Sequence, residues 1–169
     1  IIESSDYKKT KEALHQSEAR YRSYVELTDQ LAWTTNVKGE VEEDVPSWRK
    51  FTGQSYKEAK GTGWSKALHP DDIKRAFKVW HKAITTKYPY EIEYRVRRFD
   101  GVYRHFLVRG VPVLKKNGSI LEWVGACIDI TGRKKAEGEL EEHTAQLEKL
   151  NRSLQETLVK EDAVFESIG

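Results

Sequence analysis

An α+β domain, in which helices gather against one face of an antiparallel sheet, is the fold class this sequence predicts. Three observations carry that expectation. From Tyr90 onward, the strand-like stretches "YEIEYRVRRF", "VYRHFLVRGVPVL" and "ILEWVGACIDI" are separated by Asp100-Gly101 and Asn117-Gly118. Such dipeptides supply the positive φ of tight hairpin turns, so the three stretches read as an antiparallel meander. Short helical stretches precede the meander, and long runs without proline stand at both ends of the chain.

In chain order, residues 6–27 lack glycine and proline and place Tyr7, Leu14 and Tyr21 seven apart, with Tyr24 and Val25 extending the stripe. That spacing predicts a helix leading into the domain. "LAWTTNV" and "EVEEDV" alternate like strands around a Lys38-Gly39 turn, which brings the expected strands to five. "PSWRKFTG" reads as a short helix begun by Pro46 and ended by Gly53, and "SYKEAKG" as another. In "HPDDIKRAFKVWHKAITTK", Ile73, Phe77, Trp80 and Ile84 share one helical face, and Pro70, Asp71 and Asp72 mark its start.

After Gly132 the chain runs to Gly169 without proline, and Leu140, Leu147 and Leu154 repeat every seven residues. With these leucines at d, the a positions are Thr144, Asn151, Leu158 and Phe165, and an asparagine at a favours a parallel dimer in fixed register. With the leucines at a instead, Leu150 joins the seam while His143 and Thr157 interrupt it. A homodimeric coiled coil is therefore expected over this helix, the alternative being a single helix folded back on its own sheet.

Composition narrows the classes of function. A formal charge of +2 with charged residues mixed along the chain argues against a nucleic-acid partner. No apolar run approaches the roughly 18 residues that span a bilayer, so no membrane contact is expected. Cys127 is the single cysteine, which rules out an internal disulfide and suits a reducing, cytoplasmic setting. The chain starts at Ile1 and lacks methionine, as expected of a piece of a longer protein.

No assembled catalytic site is visible. Asp71-Asp72 and Glu42-Glu43 are adjacent pairs whose side chains diverge, and no phosphate-cradling loop, nucleophile elbow or metal-binding helix motif occurs. His69, before Pro70, is read as a cap or turn residue. Strand alternation puts Arg95 and Arg97 on one, solvated face and Tyr94, Phe106 and Val108 on the other, where Trp33, Phe51, Phe77 and Trp80 would close over them. These seven are the candidate pocket residues, and a ligand there would be small and held by mainly apolar contacts.

Longer stretches carry a family resemblance over about residues 18–136. "SEARYRSYVELTDQLAWTTNVKGEV", "FTGQSYKEAKGTGWSKALHPDD" and "YRVRRFDGVYRHFLVRGVPVLKKNGSILEWVGACIDITGRKKAE" resemble the successive parts of a PAS domain, most specifically in the closing Asp-Ile-Thr followed by a basic pair and Ala-Glu. The resemblance implies a five-stranded antiparallel sheet cupped around any ligand, flanked by signalling helices, and a sensory rather than catalytic role in a signalling protein such as a histidine kinase. It implies a linker helix over 1–19, the PAS domain over 20–132 and a coiled-coil linker helix over 133–169.

By the same resemblance, Cys127 would face the pocket, and Asp129, Ile130, Thr131 and Arg133 would pass a signal to the exit helix, with Arg133 as partner of Asp129. The dimer seam would use Leu140, Leu147, Asn151, Leu154 and Leu158. Flavin photochemistry is not expected, because the helical cysteine motif of flavin-binding relatives is missing. Haem, ligated by His81 on the long helix, is the minor alternative to a domain without cofactor. "EDAVFESIG" resembles the start of a further PAS domain, so an output kinase or second sensor in the same parent chain is the expected partner. The competing expectation is a ligand-free PAS module that only dimerises or docks partners.

Overall fold

The computed structural model describes residues 2–27 and 30–169. Helix α1 (Ile2–Leu27) leads to strand β1 (Leu31–Thr35), then to helices α2 (Pro46–Thr52) and α3 (Tyr56–Ala59). A single 3-10 turn at Gly63–Ala67 precedes α4 (Pro70–Thr86). Strands β2 (Tyr90–Arg97), β3 (Tyr103–Leu114) and β4 (Ile120–Asp129) follow, and α5 (Thr131–Ile168) closes the chain. Residues up to Ile130 form one compact unit and residues from Thr131 another.

The local signals acted as their chemistry requires. Pro46 occupies the first turn of α2, and Gly53 ends it with φ 76°, its N–H donating to the Arg49 carbonyl. Ser55 and Glu58 form a reciprocal capping box on α3. His69 Nδ1 accepts from the Asp71 N–H at the head of α4. Gly101 and Gly118 take φ 88° and 78° in the turns on either side of β3.

The sheet is antiparallel with strand order β1-β4-β3-β2. Among the described residues four strands are present rather than five. Asn36 does turn the chain back, its N–H donating to the Glu40 carbonyl and its Oδ1 accepting from the Lys38 and Glu40 N–H groups. Beyond that turn, however, Val41 pairs only with Gly61, in one isolated bridge. The alternation of "EVEEDV" was local, whereas a ladder needs a partner strand. The chain's next partner is the short loop after α3, with room for two reciprocal bonds.

Helices α2 to α4 supply the apolar cover of the sheet's inner face. Trp123, Phe106, Leu68, Val96, Val108 and Cys127 are the largest fully buried side chains. On α4 the buried stripe runs through Asp72, Ala76, Trp80 and Ala83, with Ile73, Phe77 and Ile84 half-buried along its flank. The start of α4 also shields the edge strand β2: Leu68 bridges to Val96, the His69 N–H donates to the Arg95 carbonyl, and Asp72 accepts from the Arg95 N–H. An edge so occupied cannot recruit another strand at those positions.

α1 is continuous through residues 19 and 20. Its Tyr7 and Leu14 are exposed, while the side chains of Tyr21, Tyr24 and Val25 lie outside the described residues. α5 starts two residues before the expected boundary at 133, so Thr131 and Gly132 are helical and Ile130 alone stands between β4 and the helix. None of its described residues is buried. Arg133, Lys134 and Lys135 face Glu137 and Glu139 at 3.6–3.8 Å one turn on, which offsets the unfavourable placement of cations at a helix N-terminus.

Candidate ligand-binding site

Trp33 is set by two glycines. Gly110 and Gly125 are paired across β3 and β4, and Trp33 on β1 is opposite Gly125. A Cβ on either glycine would come within 2.5 Å of the Trp33 ring, so their bare backbone is the floor on which the indole lies. Trp80 descends on it from α4 and meets Trp33, Tyr90 and Trp123 edge-on, with ring centroids 5.9, 4.8 and 5.0 Å away.

Around these rings lies a cavity of about 60 Å³, room for roughly four to six waters or as many non-hydrogen ligand atoms. Trp33, Trp80, Tyr94 and Cys127 line it, as do Trp48, Trp64 and Tyr90. The other expected pocket residues lie elsewhere. Phe51 packs edge-on against Phe106 at 5.0 Å, Phe77 against Trp64 at 5.8 Å, and Val108 is buried in the core. The row from Tyr90 through Gly110 and Gly125 to Trp33 contains two residues without side chains. Space opens toward it, whereas the larger Phe106 and Val108 fill the rows beyond. Trp48, Trp64 and Tyr90 were missed because helix and strand periodicity marks them only as apolar, not as cavity-facing.

The polar content of the lining is one-sided. Trp33 Nε1, Trp64 Nε1, Trp80 Nε1 and Tyr90 OH are buried without a protein hydrogen-bond partner, as is Trp123 Nε1 outside the lining. By contrast, the Trp48 indole N–H donates to Gln54 Oε1 at 2.7 Å and the Tyr56 hydroxyl to the Glu42 carbonyl. An indole offers a donor and no acceptor. Burial without a partner costs about 1–3 kcal/mol for each such group, a burden that several donors make comparable with the 5–15 kcal/mol stability of an ordinary domain.

Burial pushes the Tyr90 and Tyr94 phenols well above their ordinary range and the Cys127 thiol up to about 12. All three therefore stay protonated. The Trp33 indole lies near the Cys127 sulfur and offsets a little of that shift. Sulfur is a weak acceptor, though, and the contact lacks hydrogen-bond geometry. At the mouth, Arg49 Nε donates to Asp44 Oδ1 at 2.7 Å, both side chains being about 40% exposed. His81 is exposed and outside the lining. The cavity is also far below the several hundred Å³ that cofactor-sized ligands occupy, so the residues present do not fit haem or flavin.

Of the expected signal-transfer residues, Asp129 ends β4 and Ile130 follows it, whereas Thr131 and Arg133 belong to α5. Asp129 Oδ2 accepts from Arg104 Nε at 2.8 Å, a partner that sequence reading did not single out. It follows from register, because Arg104 is two residues from Phe106, which pairs with Asp129. The Ile130 N–H donates to the His105 carbonyl at 2.8 Å, and Ile130 itself is buried. Thr131 begins α5, where Arg133 faces Glu137. On α5, Leu140, Leu147, Asn151, Leu154 and Leu158 are exposed.

The comparisons with known proteins bear on the same elements. Residues 45–127, from the mouth of the cavity to Cys127, match the family model described as the PAS fold. The chain contains a PAS domain. An uncharacterized protein, y4lL, of Sinorhizobium fredii is 40% identical over 134 residues, 79% of this chain and 16% of that protein. Peroxide stress-activated histidine kinase mak1 of Schizosaccharomyces pombe is 36% identical over 78 residues, 46% of this chain and 5% of the kinase. The chain thus spans a small fraction of these relatives.

Among solved structures, a sensory box histidine kinase/response regulator from Burkholderia thailandensis superposes with TM-score 0.58 at 26% identity, covering 77% of this chain and 98% of that one. An RNA-binding light-oxygen-voltage receptor superposes at 0.60 with 18% identity, covering 69% of this chain and 34% of that one. That second likeness shows the fold alone. PAS domains of this kind are sensory modules of histidine kinases and other sensors, and are not themselves catalytic.

Proposed function

We propose that this PAS domain is a sensory input module that takes up a small molecule in the Trp33–Trp80 cavity and relays its occupancy through α5 to an output domain. The cavity between Trp33 and Trp80 carries this reading, because a molecule held against these core aromatic rings has a means of altering the core. Ile130 alone joins the last strand to α5, which leaves little slack for a shift to be absorbed. The exposed leucines of α5 at seven-residue spacing support a dimeric helix as the carrier. The kinase relative and the kinase-derived structure support a histidine kinase, or a further PAS domain before it, as the output in a cytoplasmic parent chain. Asp129, held by Arg104 and near the start of α5 in sequence, is the proposed point of transfer, with Arg133 as its alternate partner.

The small cavity volume favours a second reading, a ligand-free module that only dimerises. Native mass spectrometry and light scattering of the purified chain separate the two. A dimer that retains a small molecule supports sensing. A dimer of bare mass that acquires nothing from cell extract would favour the second reading, and a monomer at high concentration would remove α5 as a dimeric carrier.

A further inference from the structure

The wall of the cavity selects the chemistry of what binds there, and from it we infer that the ligand is a small uncharged hydrocarbon, a molecule without hydrogen-bonding groups. This inference rests on the cavity being the sensory pocket. The wall is almost wholly apolar, and Trp33, Trp64, Trp80, Val41, Ala59 and Cys127 are among the residues that form it. The buried polar atoms of its rings do not interrupt that surface. Nε1 of Trp33, Trp64 and Trp80 and the Tyr90 hydroxyl have almost no accessible surface, so they do not open onto the space. Trp80 Nε1 is packed on Gly39, where a Cβ would come within 1.9 Å of it, and the Trp33 indole lies at the Cys127 sulfur.

The polar groups nearer the mouth are engaged already. Trp48 Nε1 donates to Gln54 Oε1 at 2.7 Å, the Tyr56 hydroxyl donates to the Glu42 carbonyl, and Thr35 Oγ1 donates to the Asn36 carbonyl at 3.3 Å. Arg49 is bonded to Asp44 at 2.7 Å, and Glu43 is exposed. A ketone, alcohol, amine or carboxylate entering this space leaves its water behind and meets no free partner, a loss of about tenfold in affinity for each neutral polar group and of more for a charge. A hydrocarbon gives up no hydrogen bond and gains from the apolar surface that it and the wall take out of water. The volume of about 60 Å³ limits it to roughly four to six non-hydrogen atoms.

A series of rings tests this on the whole 169-residue chain. Cyclopentane, tetrahydrofuran and pyrrolidinium share one ring size and differ in being apolar, acceptor and cationic. Each is titrated into ¹⁵N-labelled protein while the indole Nε1–H resonances, assigned by single Trp→Phe variants, are followed. Cyclopentane is expected to shift the Trp33, Trp64 and Trp80 resonances saturably, at concentrations about tenfold or more below those tetrahydrofuran requires, and pyrrolidinium to leave them unmoved. Val41 is a buried residue of the wall. Val41→Thr, which keeps its shape and adds a hydroxyl, is expected to weaken cyclopentane by about 3- to 10-fold and tetrahydrofuran by less.

Tetrahydrofuran saturating at the same or a lower concentration than cyclopentane would overturn the inference in favour of a hydrogen-bonding ligand. Saturation by pyrrolidinium would overturn it in favour of a cation, and in both cases the sensory reading would survive. Undiminished cyclopentane binding by Val41→Thr would contradict selection by an apolar wall. The lack of a saturable shift with any of the three would overturn the inference as well, leaving the sensory reading to the mass measurement above.

Discussion

Gly39 lies directly against Trp80: a Cβ at Gly39 would come within 1.9 Å of Trp80 Nε1. Gly39 also has φ 83°, where a side chain costs about 1–2 kcal/mol. Displacing a buried indole adds about 1–3 kcal/mol. Gly39→Ala is therefore expected to destabilise the domain by roughly 2–5 kcal/mol in urea unfolding and to change the native tryptophan fluorescence. A loss below about 0.5 kcal/mol, typical of a neutral surface change, would show that Trp80 is not held by this glycine.

The two glycines under Trp33 differ in what restrains them. At Gly110 a Cβ meets the Trp33 side chain at 2.5 Å and nothing else inside 3.4 Å, whereas at Gly125 it also meets the Arg109 carbonyl at 2.3 Å. Trimming Trp33 to leucine should relieve Gly110→Ala but not Gly125→Ala, because only the first clash is with a removable side chain. Double-mutant cycles should give a favourable coupling of about 1 kcal/mol or more for the first pair and a smaller one for the second. Equal couplings would contradict the floor described above.

The ion pair of Asp72 and Arg95 sets an acid limit on the fold. Arg95 donates to the Asp72 carboxylate from Nε at 2.9 Å, Nη2 at 3.1 Å and its backbone N–H at 2.9 Å. The Arg95 side-chain bonds are the main reason the carboxyl titrates at about 2 rather than 3.8. A depressed value in the folded state stabilises the protein above the unfolded value and stops doing so as pH falls through the folded one. The contribution is about 2 kcal/mol at neutral pH, and about half of it is lost by pH 3. Asp72→Asn should lower the urea midpoint clearly at pH 6 and much less at pH 3, and an equal loss at both would refute the assignment.

Cys127 should be chemically quiet. It is 1% exposed and its thiol is pushed up to about 12 by burial, so thiolate, the reactive form, is scarce. Labelling by a thiol reagent is expected only as fast as the domain opens, rising steeply with urea. Rapid native labelling would place the sulfur in a wetter site.

Much of this fold was legible in the sequence because its punctuation is local. Pro46, Gly53, Pro70, Asp100-Gly101 and Asn117-Gly118 act within one turn of themselves, and each element they bound is present. What could not be read depends on distant partners. The fifth strand failed because Val41 is opposite Gly61 rather than a ladder, a pairing absent from the pattern of residues 40–45. Arg95 read as a solvated charge because its partner is 23 residues upstream at a helix start. Trp33, Trp80, Tyr94 and Cys127 were placed among the pocket residues, but the unserved donors depend on ring orientations that periodicity does not encode.

The relay is the central claim, and the distance between the two α5 helices of a dimer measures it. A spin label at Ser153→Cys, exposed on α5, leaves Cys127 unlabelled for the reasons above. Distances are compared between protein as purified, protein stripped by reversible unfolding, and Val41→Thr. The account predicts a dimer whose helix separation or register shifts by about 1–2 Å on stripping, with Val41→Thr displaced toward the stripped state. Identical distance distributions in all three, from protein shown by mass to differ in bound ligand, would contradict it.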